Sequence, residues 1–327
     1  MSLTICPWKY DKQWVYSITY DEALVELNHF AIPYHEQFCI PGHVEVVAGH
    51  IGKVRQIGQS SYNGFRHMDG HELKDLVARG WGVGNHSWSH ETITPETVEQ
   101  EIGQAKAVIE QAIDGPIILF CSPGDNTNMS DHVLEACRHY GYLGAMSLTD
   151  ALNLPQDELF WINRTALHDQ LYGPFFSAYD PYRNIRFAKE RQGWIIDYCH
   201  CPMEEVVHRN KDCTQEQLRQ RFDAILEERD RVWCAVPEEV LGYHLTRRHA
   251  RIEQRGVGQY RVHLNTLPSV VPYRDLTFHL DVTVEQCRQP RIDVNGCNYP
   301  ATLVRPGILQ LTVAMDTVTD IRVSTVE

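Results

Sequence analysis

Short apolar segments alternate with amphipathic segments over most of the chain, and this alternation restricts the possible folds more than any other feature. The apolar segments are WVYSITY (14–20), WGVGN (81–85), PIILFC (116–121), GYLGAM (141–146), GWIIDYC (193–199) and RVWCAV (231–236). Between them, apolar residues recur at spacings of three and four, as in residues 69–80, 94–113, 129–141 and 213–229. Strands alternating with helices in this way predict parallel β/α units.

The pattern changes after a last helical segment that ends near residue 249. Segments such as YRVHLNTL and GILQLTVAM alternate apolar and polar residues with a period of two, and turn residues separate them. Such segments are typical of antiparallel strands with one buried face. We therefore predict two domains, a β/α domain over residues 1–249 and a small, sandwich-like all-β domain over residues 250–327.

Composition restricts the partners and the compartment. The 327 residues include 30 basic and 43 acidic side chains, a net charge of −13, which argues against nucleic acid because such binding depends on phosphate neutralisation. No apolar run approaches the ~20 residues that span a bilayer, and the N-terminus lacks the layout of a secretory signal. Ten cysteines without regular spacing indicate reduced thiols. We expect a soluble, cytoplasmic protein, with secretion left open if a signal has been removed.

Polar residues that could carry chemistry follow two of the predicted strands. Asp21 and Glu22 end the strand in SITYDE, and His86 and His90 follow the strand in GVGNHSWSH. Because four residues is just over one helical turn, a helix here would place both imidazoles on one face. One carboxylate and two imidazoles with a fourth position for water would form a catalytic zinc site. The alternatives are a pair of hydrogen-bonded histidines and an acidic helix start.

Three stretches together resemble the polysaccharide deacetylase, or NodB-homology, family. They are TYDE (19–22), VGNHSWSH (83–90) and the strand ending in YCHCP (198–202), and they occur in the family's order and at about its separations. GNHSWSH is the most specific of them, because it matches the family's H-[ST]-x-x-H metal motif. The resemblance covers roughly residues 14–249.

The resemblance implies a distorted (β/α) barrel that holds one divalent metal, zinc or cobalt, and hydrolyses an N-acetyl amide on an amino sugar. Carried over by motif, Asp21 is the general base, and Glu22, His86 and His90 are the metal ligands. The family's late histidine falls on His200 as general acid. The predicted partner is a carbohydrate or a related small amide.

Two positions depart from the family pattern. Glu22 stands where the family has aspartate, and Cys121 stands where the family has an arginine that orders the base. Cys121 lies in FCSPGDN, in which we predict Pro123, Gly124 and Asp125 as substrate-binding residues. These departures keep two alternatives open: a catalytically weak or inactive barrel that binds a glycan, and an amidase that acts on a non-sugar amide.

Residues 31–66 contain no clear pattern, and we expect a strand there and a loop over the barrel mouth. Four aromatic residues are candidates for stacking on a sugar, although core packing is the simpler interpretation of each. They are Trp88, Trp161, Tyr172 and Phe175.

Overall fold

The computed structural model describes residues 1–167, 179–208, 212–282 and 290–325. The chain forms two compact units, one of residues Trp14–Glu238 and one that combines Met1–Gln13 with Glu239–Glu327. The predicted domain boundary after residue 249 differs from this division in two ways. Most of the helix Pro237–His249 belongs to the β-rich unit, and so does the N-terminal segment Met1–Gln13. The assignment of two domains, 1–249 and 250–327, stays a prediction.

The strands of the described residues are numbered in chain order. They are β1 (Leu3–Ile5), β2 (Trp14–Asp21), β3 (His43–Val46), β4 (Gly82–Asn85), β5 (Leu119–Cys121), β6 (Gly144–Met146), β7 (Thr165–Ala166), β8 (Trp194–Cys199), β9 (Val232–Cys234), β10 (Arg251–Gly256), β11 (Gln259–His263), β12 (Asp275–Asp281), β13 (Pro290–Val294), β14 (Cys297–Tyr299), β15 (Thr302–Arg305), β16 (Ile308–Ala314) and β17 (Val318–Thr325).

The described helices alternate with the strands in the first unit. They are α1 (Leu27–Phe30), α2 (Ile32–Phe38), α3 (Gly70–Ala78), α4 (Ala105–Ile113), α5 (Asp131–His139), α6 (Ile185–Arg191), α7 (Gln215–Leu226) and α8 (Pro237–His249). A π-helical turn, Glu99–Gln104, leads into α4, and short 3₁₀ turns occur at Lys9–Asp11, Ala48–His50 and Asn126–Met129. Sequence-local caps begin two of the helices: Asp69 and Glu72 form a capping box at α3, and Thr214 and Gln217 form one at α7.

The first unit contains one parallel sheet with the strand order β6-β5-β4-β3-β2-β8-β7, and β9 pairs with the beginning of β2. Every residue of β2 is buried, as expected for a parallel strand that helices cover on its outer face. The sheet and its helices form the distorted (β/α) barrel that the family resemblance implied. Parallel strands end at one rim, so the residues after β2, β3, β4, β5 and β8 lie near one another.

The second unit contains two antiparallel sheets, with the strand orders β1-β12-β16-β15 and β10-β11-β17-β13-β14. Buried and less buried residues alternate along β11 and β16, which confirms the prediction of antiparallel strands in this part of the chain. Strand β1 lies far from its partner β12 in sequence, since Leu3 pairs with Leu280, and no local pattern indicated this pairing.

None of the helices in the part of the chain that the structure describes has the length and apolarity needed to cross a membrane.

Candidate active site

Four strand ends contribute buried residues to one rim of the barrel. Asp21 is the last residue of β2, His86 directly follows β4, Cys121 ends β5 and His200 directly follows β8. All four are at most 4% exposed. The Oδ2 atom of Asp21 lies 3.9 Å from Nε2 of His86. The expected convergence of strand ends is therefore present, and it brings acids and imidazoles together in a buried environment.

The segment from His86 to His90 is a loop and not the helical turn that the spacing argument assumed. Ser87 and His90 have φ angles of 69° and 63°, which lie in the left-handed region and interrupt a right-handed helix. The two imidazoles nevertheless meet, with ring centroids 5.0 Å apart and an interplanar angle of 68°. The two imidazoles that the spacing singled out do lie together, but a loop and not a helix brings them there. Their role as metal ligands stays a prediction.

The carboxylate of Glu101 orders this loop. It accepts hydrogen bonds from the backbone N–H groups of Trp88 and Ser89, both at 2.9 Å, and from the Ser89 hydroxyl at 2.7 Å. The hydroxyl of Ser87 accepts a hydrogen bond from the backbone N–H of His90 at 3.0 Å. These contacts replace the hydrogen bonds of a helix and fix the positions of both histidines.

Asp21 is held by an arginine that the sequence analysis did not identify. Nη1 of Arg164 donates hydrogen bonds to Oδ1 of Asp21 at 2.6 Å and to the hydroxyl of Thr19 at 3.0 Å. Burial disfavours the charged carboxylate, but Arg164, followed by His86 and His200, holds the pKa of Asp21 well below its usual range. Arg164 directly precedes β7, so a different part of the chain supplies the cation that Cys121 does not.

Glu22, at the start of the turn after β2, pairs with Arg55. The Arg55 side chain donates two hydrogen bonds to Glu22, one from Nε and one from Nη2 at 2.6 Å, and both residues are at most 4% exposed. Two imidazoles also face this carboxylate, since its Oε1 lies 3.8 Å from Nε2 of His90 and 3.9 Å from Nε2 of His200. Burial opposes its ionisation, but Arg55, His200 and His90 lower the pKa of Glu22 to about 2.

His200 is positioned from two sides. Its ring stacks on Tyr62, with centroids 4.8 Å apart and an interplanar angle of 17°. Oδ1 of Asp212 accepts the backbone N–H of His200 at 2.7 Å and lies 3.6 Å from its Nδ1. Burial raises the pKa of Asp212 to about 8. The imidazole therefore presents Nε2 toward Glu22 and Nδ1 toward Asp212.

The donor groups of the predicted metal ligands suit a divalent ion. Nδ1 of His86 lies 3.1 Å from the carbonyl oxygen of Cys121, and donation to that oxygen leaves Nε2 free to bind a metal. Burial lowers the pKa of His86 to about 3, so the imidazole is neutral, as a metal ligand must be. Two imidazoles and the Glu22 carboxylate form a donor set that zinc accepts.

The spacing of these donors is looser than a bound ion requires. Ligand atoms ~2.0–2.2 Å from a tetrahedral zinc lie about 3.4 Å apart, and the distance from Glu22 to His90 is 3.8 Å. Among the described residues, two groups of three have all their donor atoms within 4.8 Å of one another, Asp21–His86–Cys121 and Cys6–Asp11–His279. Glu22, His86 and His90 are not such a group, so they would have to move inward to share an ion.

The predicted substrate-binding residues lie in the loop after β5. Pro123 is buried, whereas Gly124, with a φ of 70°, and Asp125 are exposed. The Asp125 carboxylate accepts the backbone N–H of Thr127 at 2.8 Å and caps the turn Asn126–Met129. The loop is thus locally ordered beside the rim, and its contact with substrate stays a prediction.

A cleft of about 290 Å³ lies beside the histidine loop. Its lining residues are Gly49, His50, Lys53, Val54, Gln56, Trp88 and Ser89. Two of the aromatic residues predicted to stack on a sugar lie among the described residues. Trp88 lines this cleft, and Trp161 is 40% exposed. Tyr172 and Phe175 lie outside the described residues.

The residues that sequence reasoning missed share one property: each reaches the rim from a distant segment. Arg55 and Tyr62 come from the loop between β3 and α3, Arg164 precedes β7, and Asp212 precedes α7. One sequence-based expectation pointed toward them: that residues 31–66 contain a loop over the barrel mouth. That expectation did not identify Arg55 or Tyr62 individually.

The fold and the rim together define a (β/α)-barrel protein with a buried site of acids, arginines and histidines at its strand ends. Residues 10–145 match the family model of the polysaccharide deacetylases. This match confirms, over residues 10–145, the resemblance that the motifs predicted.

Several solved structures are similar to parts of this chain at low identity. A proposed polysaccharide deacetylase from Mycobacterium smegmatis is 13% identical over 73% of this chain and 94% of that chain, with a TM-score of 0.48. IcaB from Ammonifex degensii is 20% identical over 48% of this chain and 67% of that chain, with a TM-score of 0.41. The deacetylase PplD from Streptococcus pyogenes is 14% identical over 46% and 62%, with a TM-score of 0.39. A search of curated proteins found no match.

Proposed function

We propose that the barrel unit is a metal-dependent amide hydrolase that removes the N-acetyl group from an amino sugar or a related small amide. The match to the polysaccharide deacetylase model supports this assignment. The observation that carries it is the buried carboxylate of Asp21, which Arg164 keeps ionised 3.9 Å from Nε2 of His86. An ionised carboxylate beside a metal-binding imidazole is the arrangement that a general base for water attack requires.

In this proposal Glu22, His86 and His90 hold one divalent ion, with zinc or cobalt as the candidates. A bound ion of this kind polarises the substrate carbonyl and lowers the pKa of water towards ~7. Asp21 takes the proton of the attacking water, and its pair with Arg164 fixes which carboxylate oxygen faces the substrate. His200 protonates the departing amine, because an amine leaves readily only when its nitrogen carries an added proton.

The environment of His200 suits the role of general acid. The Tyr62 ring stacks on the imidazole, and the Asp212 carboxylate accepts the backbone N–H of His200 and lies near Nδ1, so that Nε2 points into the rim. The loop Pro123–Asp125 and the cleft beside Trp88 are the proposed contacts for the rest of the substrate. A neutral sugar fits a chain whose net charge is −13.

The test is acetate release from N-acetylated chito-oligosaccharides by the purified chain with zinc or cobalt added. We expect release by the wild-type chain and loss of release, with the metal retained, in Asp21→Asn. The pairing of Glu22 with Arg55 favours a second candidate, a glycan-binding barrel with little or no activity. Saturation with metal and binding of the oligosaccharide without release would support that candidate, whereas release only from small non-sugar amides would support an amidase.

A further inference from the structure

We infer that Arg55 competes with the divalent metal for the carboxylate of Glu22. The inference rests on the proposed ligand set of Glu22, His86 and His90. In the structure, the guanidinium of Arg55 already binds both oxygens of Glu22, through Nε to Oε2 and through Nη2 to Oε1. A bidentate arginine on a buried carboxylate is among the strongest polar contacts in proteins.

The loop around Arg55 holds the guanidinium in this position. Nη1 of Arg55 donates a hydrogen bond to Oδ1 of Asn63 at 3.2 Å, and its guanidinium carbon lies 5.8 Å from the centroid of the Tyr62 ring. The backbone of Arg55 is fixed on both sides, because its N–H donates to the carbonyl of Phe65 and its carbonyl accepts the N–H of Gly64. Arg55 is 4% exposed, so solvent screens its charge poorly.

A metal ion on Glu22 and this guanidinium oppose each other electrostatically. A guanidinium group carries a positive charge in proteins. An ion bound to Glu22 would lie within a few ångströms of that charge in a buried site, where like charges repel strongly. The looser spacing of Glu22 and His90 agrees with a carboxylate drawn toward Arg55.

Arg55 therefore lowers the affinity of the site for metal, and loading requires that Glu22 exchange at least one guanidinium contact for the ion. The alternative is that Arg55 is a positioning residue, which orients Glu22 for metal binding. The two roles predict opposite effects of removing the guanidinium on metal affinity.

The experiment measures the dissociation constant of Zn²⁺ and of Co²⁺ by equilibrium dialysis with elemental analysis, without substrate. Arg55→Gln removes the charge and keeps a polar side chain of similar reach. Arg66→Gln is the matched control, because Arg66 lies in the same segment but pairs with Glu72. We expect at least tenfold tighter metal binding in Arg55→Gln, no change in Arg66→Gln, and loss of the gain when Glu22→Gln is added.

Unchanged or weaker binding in a folded Arg55→Gln protein would overturn the inference. If circular dichroism shows that Arg55→Gln does not fold, Arg55→Met tests the same point, since it removes the charge and keeps an unbranched side chain. An affinity above that of the wild type is expected for Arg55→Met, and an affinity at or below the wild type overturns the inference. Tighter metal binding in Arg55→Gln, with no acetate release by the wild-type chain or the variant, would support the competition and contradict the proposed function. A failure of this inference can therefore be told apart from a failure of the proposed function.

Discussion

Arg164, directly before β7, and Asp21, at the end of β2, form a buried ion pair with Nη1 and Oδ1 2.6 Å apart. This contact replaces the arginine that is missing at Cys121. It links the base proposed for the reaction to a residue 143 positions later in the sequence.

Removing this contact should impair the base. In Arg164→Gln we expect kcat/KM to fall by ~10²-fold or more, the scale of a general-base contribution. Because Arg164 lowers the pKa of Asp21, its loss raises that pKa, and the acidic limb of the pH profile should move to higher pH. Arg183→Gln is the control, since Arg183 pairs with Asp150. An unchanged acidic limb would show that Arg164 does not set the ionisation of Asp21.

Measurements of bound metal in single variants should distinguish the metal ligands from the general base. We expect His86→Ala and His90→Ala to lose bound zinc in elemental analysis, because each removes one of three donors. Asp21→Asn should keep the metal and lose turnover. If Asp21→Asn lost the metal and Glu22→Gln did not, the assignments of ligand and base to these two acids would be reversed.

Asp212 gives a pH-dependent prediction. Burial raises its pKa to about 8, so the folded protein binds a proton there that the unfolded chain releases near its usual pKa of ~3.9. The stabilisation that this bound proton gives the folded protein is complete below about pH 4 and is lost as pH rises through about 8. Asp212→Asn should therefore gain stability relative to the wild type as pH rises over this window, measured by urea unfolding.

The same substitution tests the role of Asp212 beside His200. Asparagine keeps an oxygen for the backbone N–H of His200 but cannot ionise beside Nδ1 as pH rises through about 8. We expect a changed basic limb in the pH profile of kcat. Stability and kcat profiles that both match the wild type would contradict the raised pKa and the positioning role.

A buried charge cluster below the rim predicts a stability effect without a direct role in catalysis. His43 lies 3.1 Å from Glu45 and 3.0 Å from Glu238, and all three are buried. Burial opposes its charge, but Glu238 and Glu45 raise the pKa of His43 to about 10. His43→Gln leaves two buried carboxylates without their cation, and we expect a loss of about 3–5 kcal/mol in the free energy of unfolding.

The pH dependence of this cluster has a defined sign. The pKa of His43 is raised in the folded state, so the stabilisation is complete below its unfolded pKa of ~6.5 and is lost as pH rises through about 10. The difference between the wild type and His43→Gln should therefore shrink between these limits. A difference that stays constant up to pH 10 would contradict a charged His43.

Local sequence patterns predicted the parts of the fold that depend on local chemistry. Buried parallel strands and amphipathic helices each carry a periodicity, so β2, β4 and β8 could be located in advance, with Asp21 at the end of β2 and His86 directly after β4. His200, directly after β8, was assigned through the family resemblance. The helical turn that the spacing argument assumed at His86–His90 is absent, because residues in the left-handed region and contacts from Glu101 determine that loop.

The contacts that tune the site had no local signal. Arg55, Arg164 and Asp212 reach the rim only after distant strands pair, and their sequence neighbourhoods resemble ordinary loops. The exchange of arginine for Cys121 indicated that a partner for Asp21 was missing, but it did not indicate which residue replaces it.

The most direct test of the proposed site is the position of a bound ion. Crystals soaked with saturating zinc should show one anomalous-scattering peak bonded to Nε2 of His86 and of His90 and to the carboxylate of Glu22, with Asp21 beside it. A peak bonded to Asp21, His86 and Cys121 with His90 unbound, or no peak on this rim, would contradict the account.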